Sequence, residues 1–158
     1  IATTPRRNLR RGVVGGNRSP REGVEAAVGH LAAPTVMTSS PLAGLKVLIV
    51  EDEAVTAAAA MMMLDEAGAH SLGPCESVAD ALTLIGEQRV DLALLDVNLN
   101  GMRSNAIAAA LTAKKVPFVA ATGYGIAAAL AGASIILEKP YTPEQLRAAL
   151  EEAVAATC

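Results

Sequence analysis

From residue 45 onward, short apolar runs alternate with stretches of strong helix-forming residues, and this alternation is the feature that most constrains the fold. Apolar runs that lack alternating polar residues are typical of strands buried on both faces of a sheet. Strands separated by helical stretches pair in parallel through right-handed crossovers. The pattern therefore predicts an α/β domain built on a doubly wound, five-stranded parallel sheet with strand order 2-1-3-4-5.

The boundaries of the predicted elements follow from the apolar runs and from capping residues. The predicted strands cover residues 45–50, 69–73, 91–96, 116–122 and 134–138. The predicted helices cover residues 54–67, 77–88, 103–115 and 142–156. Ser77 and Thr142 are predicted N-caps, because a hydroxyl at a helix start accepts a hydrogen bond from a free backbone amide. Only residues 123–133 separate the last two strands, so we expect a shortened fourth helix of about two turns or less.

The N-terminal part of the chain has a different composition. Residues 1–43 combine Pro, Gly, Ser and Arg without a sustained period, which predicts a flexible leader or linker before a domain over residues 44–158. A short helix over residues 21–31 is compatible with this segment. The chain starts with Ile1 instead of Met, so we expect the natural protein to begin further upstream.

Charge is distributed unevenly along the chain. Residues 1–44 hold six Arg and two Glu, a net charge of +4, whereas the remainder holds seven Lys or Arg and fourteen Asp or Glu, a net charge of −7. Direct nucleic-acid binding requires a basic surface, so the acidic domain is not expected to bind DNA or RNA. The leader carries an arginine cluster at Arg6, Arg7, Arg10 and Arg11. This cluster could bind nucleic acid or anionic lipid, but a solvated tail is the simpler interpretation.

One uncharged segment, residues 116–137, is long enough to cross a bilayer. Pro117 and three glycines interrupt it, and two buried strands with a connecting turn would have the same mean hydropathy. We therefore predict no membrane insertion. The two cysteines, Cys75 and Cys158, form no disulfide framework, and a reducing, cytoplasmic compartment is the simplest expectation.

Chemically active side chains stand at the ends of the predicted strands. Glu51 and Asp52 close the first strand, Asp96 closes the third, Thr122 closes the fourth and Lys139 follows the fifth. In a doubly wound sheet, ligands bind beyond the carboxyl ends of the strands, where the strand order reverses. The sequence therefore predicts one site that contains carboxylates, a hydroxyl and an amine.

The chemistry of this set points to a metal and to phosphorus. A cluster of three carboxylates repels itself unless a cation is present, and an all-oxygen site suits Mg²⁺ better than Zn²⁺. An oxygen of Asp96 can then attack phosphorus, while Lys139 and Thr122 can donate to the phosphoryl oxygens. Each residue alone also has a structural interpretation: Asp52 as a helix cap, Thr122 as a turn residue and Lys139 as a surface lysine. Their conjunction at four strand ends favours the functional interpretation.

Four segments resemble the signature segments of response-regulator receiver domains: Val50-Glu51-Asp52-Glu53, Leu94-Leu95-Asp96-Val97-Asn98-Leu99, Ala121-Thr122-Gly123 and Lys139-Pro140. The resemblance implies a flavodoxin-like fold in which Asp96 accepts a phosphoryl group from a phosphohistidine. It also implies that Glu51, Asp52, Asp96 and the main-chain carbonyl of Asn98 organise Mg²⁺. Lys139 would pair with the phosphoryl group, Thr122 would hydrogen-bond to it, and the Lys139-Pro140 peptide would be cis.

Two positions depart from the usual receiver pattern. Many receivers carry an aromatic switch residue three positions before the lysine, where this chain has Ile136. With Tyr124 after Thr122-Gly123, the chain resembles the alphaproteobacterial subgroup named for a Phe-Ala-Thr-Gly motif followed by tyrosine ("FAT GUY"), with Ala120 in the place of phenylalanine. Our hypothesis is that phosphorylation orders residues 123–133 instead of turning an aromatic ring.

The resemblance implies a phosphoacceptor in two-component signal transduction that slowly dephosphorylates itself. Its partners would be a histidine kinase or a histidine phosphotransfer protein and a downstream protein target. One alternative is the C-terminal receiver domain of a hybrid histidine kinase, with kinase activity only if a kinase domain is missing from this chain. Less favoured alternatives are a pseudo-receiver that only binds partners and a hydrolase with an aspartyl-phosphate intermediate, for which the short loops leave little room for a substrate pocket.

Overall fold

The computed structural model of the chain describes residues 39–123 and 130–157. Its strands are β1 Lys46–Val50, β2 His70–Cys75, β3 Leu92–Asp96, β4 Asn98–Leu99, β5 Met102–Arg103, β6 Phe118–Thr122 and β7 Ile135–Glu138. Its helices are α1 Ala54–Glu66, α2 Val78–Glu87, α3 Asn105–Ala113 and α4 Pro143–Ala155. Five strands form a parallel sheet in the order β2-β1-β3-β6-β7. The predicted fold class is confirmed, with β6 and β7 as the predicted fourth and fifth strands.

The sheet has a hydrophobic core on each face, because successive strand residues point to opposite sides. Val47 and Ile49 of β1 face the cluster that includes side chains of α1 and α4. Leu48 and Val50 face the cluster that includes side chains of α2 and α3. The strands β1, β3 and β6 are therefore buried almost completely, as their continuous apolar runs predict.

Both predicted N-caps are present. The Ser77 hydroxyl accepts a hydrogen bond from the Asp80 backbone amide at the start of α2. At the start of α4, Thr142 and Gln145 form a reciprocal capping box, with Pro143 in the first turn. These caps fix where each helix leaves the sheet edge.

A short antiparallel hairpin, formed by β4 and β5, was not expected from the sequence. Asn100 and Gly101 form its turn with positive φ angles of 49° and 88°, a conformation that asparagine and glycine adopt most readily. Because the hairpin extends to Arg103, helix α3 begins at Asn105, two residues later than the predicted start at residue 103.

Several predictions concern residues outside the described ranges. Residues 1–38 of the predicted leader over residues 1–43 lie there, with the helix over residues 21–31 and the arginine cluster. Within residues 39–43, Leu42 is fully buried in the cluster beneath α1 and α4. In the connection between β6 and β7, residue 123 and residues 130–134 are not helical. The predicted shortened helix falls largely on residues 124–129, which lie outside the described ranges.

The uncharged segment at residues 116–137 contributes β6 and β7 to the sheet. Among the described helices, none combines the length and the apolar character that a bilayer crossing requires.

Candidate functional site

Three carboxylates converge where β1 and β3 end. The strands β1 and β3 are neighbours, with Val50 paired to Leu95, so the residues that follow Val50 lie beside Asp96. One oxygen each from Glu51, Asp52 and Asp96 can be chosen so that all lie within 4.8 Å of one another. We call these three residues the acid cluster. Glu51 and Asp96 are buried and Asp52 is half-buried.

The Lys139 side chain connects two members of the acid cluster. Its Nζ lies 3.0 Å from Glu51 Oε2 and 2.9 Å from Asp96 Oδ2. Its backbone amide donates to the Thr122 carbonyl oxygen at 2.8 Å, and the Lys139-Pro140 peptide is cis, as the resemblance implied. The lysine that follows β7 is thus held at the centre of the site by both its main chain and its side chain.

The environment of the cluster shifts two pKa values. Burial raises the pKa of Glu51 to about 7, against the opposing effect of its hydrogen bonds from Lys139 and from the Glu53 amide. Burial lowers the pKa of Lys139, but its hydrogen bonds to Asp96 and Glu51 outweigh burial and raise it above its usual value. Lys139 therefore stays protonated at neutral pH, and its ammonium group favours the charged form of Glu51.

The loop after Asp96 wraps around the cluster through the unexpected hairpin. The Asn98 amide donates to Asp96 Oδ1 at 3.1 Å, and the Asn100 amide donates to Asp52 Oδ2 at 2.9 Å. The fully buried Ser104 hydroxyl donates to the Asp96 carbonyl oxygen. Neither Ser104 nor Asn100 was among the predicted site residues, although the Asn100-Gly101 pair is a typical hairpin signal that could have revealed the turn.

Thr122 lies at the end of β6, next to β3, where Asp96 pairs with Ala121. Its side chain is buried, with 1% of the residue exposed. The structure thus brings the predicted hydroxyl residue to the same sheet edge as Asp96 and Lys139.

The donor atoms of the acid cluster suit a hard divalent cation. All are carboxylate oxygens, which Mg²⁺ and Ca²⁺ prefer, and within residues 39–123 and 130–157 no histidine or cysteine joins them. The observed set fits the Mg²⁺ that the sequence predicts. Beside Lys139 lies a cavity of about 370 Å³, whose lining residues are Glu53, Thr56, Lys139, Pro140 and Tyr141.

Comparison with known proteins identifies what this arrangement resembles. A family model described as "Response regulator receiver domain" matches residues 47–151. SdrG from Sphingomonas melonis Fr1 has a solution structure that is 34% identical, with a TM-score of 0.62 over 73% of this chain and 98% of that chain. A receiver domain protein (CheY-like) from Methanospirillum hungatei JF-1 is 21% identical, with a TM-score of 0.63 over 72% of this chain and 96% of that chain. A search of the curated proteins found no significant match.

Proposed function

Because this chain belongs to the response regulator receiver domain family, we propose that it is a phosphoacceptor of two-component signalling and that Asp96 is the residue phosphorylated. The observation that carries this proposal is the contact of one lysine with two buried carboxylates at the sheet edge. A buried acid cluster is unfavourable for folding, so its presence with a matched cation favours a chemical role over a structural one.

Asp96 supplies the nucleophile in this proposal. One carboxylate oxygen attacks the phosphorus atom of a donor phosphohistidine, the new O–P bond forms, and the N–P bond breaks with the imidazole as leaving group. The hydrogen bonds from the Asn98 amide and the Lys139 ammonium hold the carboxylate in one orientation. This pre-orientation lowers the entropic part of the barrier.

Glu51, Asp52 and Asp96, with the main-chain carbonyl of Asn98, would hold Mg²⁺. When bound, Mg²⁺ offsets the negative charge that the carboxylates and the phosphoryl oxygens bring together. Lys139 then pairs with a phosphoryl oxygen, and the Thr122 hydroxyl donates to another. Hydrolysis of the aspartyl phosphate by water would slowly restore Asp96.

The proposal includes partners that fit this chemistry. The donor is a histidine kinase or a histidine phosphotransfer protein, and a downstream protein responds to the phosphorylated form. A cytoplasmic location accords with such partners. Since Ile136 replaces the switch aromatic residue, we place the response in residues 123–133, most of which lie outside the described ranges.

Phosphorylation of the purified chain tests the proposal. We expect acetyl phosphate and Mg²⁺ to add one phosphoryl group to the wild-type chain, detected by intact-protein mass spectrometry, and none to Asp96→Asn. Borohydride reduction should convert Asp96 to homoserine, which locates the modified residue. Asp91→Asn is the matched control, because Asp91 lies at the opposite end of β3, where it binds Arg89 and the Lys46 amide. An equal mass gain in Asp96→Asn would exclude the assignment.

A further inference from the structure

The hydroxyl group of Tyr141 is buried and finds no hydrogen-bond partner among the described residues. Tyr141 follows Lys139 and Pro140 in the chain, lines the 370 Å³ cavity with them and packs against the core cluster beneath α1 and α4. Its Oη atom exposes less than 1 Å² and has no partner among the residues that the structure describes. Such a group is unfavourable in a folded protein, because its hydrogen bond to water is lost without replacement.

The Tyr141 hydroxyl is shielded from solvent, so a neighbouring side chain is the partner that we seek. Burial raises the pKa of Tyr141 to about 12, and the charges that act on its hydroxyl are those of Glu51, Lys139, Asp96 and Glu53, in decreasing order. The hydroxyl therefore stays a donor at neutral pH. Glu51 is a buried carboxylate of the same site, in contact with Lys139, which lies two residues before Tyr141 in the chain.

Glu51 depends on Lys139 in the unphosphorylated chain. Its Oε1 accepts from the Glu53 amide at 3.0 Å, and its Oε2 accepts from Lys139 Nζ at 3.0 Å. Under the proposed function, Lys139 pairs with the phosphoryl group after transfer to Asp96. When Lys139 Nζ turns toward the phosphoryl group, Glu51 loses this donor, although its carboxylate is only 2% exposed.

We infer that Tyr141 is a positioning residue for phosphoryl transfer: its hydroxyl donates to Glu51 when Lys139 turns to the phosphoryl group on Asp96. The new bond replaces the donor that Glu51 loses and keeps its carboxylate oriented within the acid cluster. In the same step, the buried hydroxyl gains the partner that it lacks in the unphosphorylated state. This inference rests on the proposed function.

The test compares two states of the same variants. Beryllofluoride, in the presence of Mg²⁺, is the probe, since it binds an aspartate carboxylate as a mimic of the phosphoryl group. We expect Tyr141→Phe to bind beryllofluoride about 3- to 10-fold more weakly than the wild-type chain, the loss that corresponds to one hydrogen bond. Without the probe, its urea midpoint should equal or exceed that of the wild type, because the variant removes only an unpartnered hydroxyl.

Thr56→Val is the matched control. Thr56 lines the same cavity, but its hydroxyl already donates to Glu53 at 2.5 Å, so its removal should leave beryllofluoride affinity within about twofold. Proton NMR adds a direct readout: a slowly exchanging tyrosine hydroxyl signal should appear in the wild-type chain only with beryllofluoride and vanish in Tyr141→Phe.

Each other outcome overturns the inference. An unchanged affinity of Tyr141→Phe for beryllofluoride would show that the hydroxyl finds no partner in the beryllofluoride-bound chain. If Tyr141→Phe lowered the urea midpoint equally with and without beryllofluoride, the hydroxyl would have a partner in both states. If the wild-type chain itself bound no beryllofluoride, the proposed function of Asp96 would fail first, and the inference would fail with it.

Discussion

Lys139 Nζ lies 2.9 Å from Asp96 Oδ2, although the two residues are 43 positions apart in the chain. The same ammonium group binds Glu51, so one cation serves two buried carboxylates. Loss of one member of such a group leaves an uncompensated charge in the interior, which is more harmful than the absence of the whole group. The stability of the fold therefore depends on the balance between the negative charges of Glu51 and Asp96 and the positive charge of Lys139.

Removal of the shared cation should destabilise the metal-free chain. We expect Lys139→Met to lower the free energy of unfolding by about 1–3 kcal/mol in the presence of EDTA, because Glu51 and Asp96 lose their common partner. Mg²⁺ should stabilise this variant more than the wild type, since a second cation replaces the first. Urea denaturation with and without Mg²⁺ measures both effects. Lys46→Met, at an exposed position of β1, should stay within about 0.5 kcal/mol, and an equally small change in Lys139→Met would contradict the expectation.

Mg²⁺ binding should depend on Asp52 and not on its neighbour Glu53. The Asp52 carboxylate belongs to the acid cluster, whereas Glu53 is exposed and lies outside it. We expect Asp52→Asn to weaken Mg²⁺ binding about 10-fold or more, because it removes one negative charge from the set of ligands. Isothermal titration calorimetry compares it with Glu53→Gln, which should bind within about twofold of the wild type. Similar losses in both variants would indicate only a general effect of surface charge.

Ser104 should support the backbone at Asp96. Its buried hydroxyl donates to the Asp96 carbonyl oxygen. Ser104→Ala removes this donor and should lower the free energy of unfolding by about 1–3 kcal/mol. Chemical denaturation measures the loss. Ser134→Ala, at an exposed position before β7, should change the free energy of unfolding by less than about 0.5 kcal/mol. If the two variants were equally stable, the Ser104 bond would contribute nothing.

Two glycine substitutions should act in opposite directions. Gly73 has a φ angle of 99°, and a Cβ atom there would lie 2.7 Å from the Ile49 carbonyl oxygen, a backbone atom. Gly73→Ala should therefore destabilise the fold by more than about 2 kcal/mol. A Cβ atom at Gly86, within α2, would meet nothing within 4 Å, so Gly86→Ala should stabilise by about 0.5–1 kcal/mol. Thermal unfolding measures both effects, and a Tm shift in the same direction for the two variants would be inconsistent with this geometry.

Cys75 should react slowly with alkylating reagents. Burial, with a smaller effect of Asp80, raises the pKa of its thiol, so less of the reactive thiolate forms at a given pH. With Cys158→Ser removing the other thiol, we expect iodoacetamide at pH 8 to modify the folded chain about 100-fold more slowly than the chain in urea. Mass spectrometry follows the reaction. Comparable rates in the two conditions would mean that the thiol is accessible.

The sequence by itself determined the fold class, the order of the strands and the strand ends that carry the acid cluster, Thr122 and Lys139. It could do so because apolar periodicity, helix caps and chain order are local properties, and the rules of parallel sheets translate them into a topology. Only the tertiary structure decided that Lys139 binds both Glu51 and Asp96 and that Ser104 donates to the Asp96 carbonyl oxygen. It also decided that the Tyr141 hydroxyl is buried with no partner in the part of the chain that the structure describes. These relationships depend on which side chains from distant segments face one another, and no pattern of nearby residues encodes those directions.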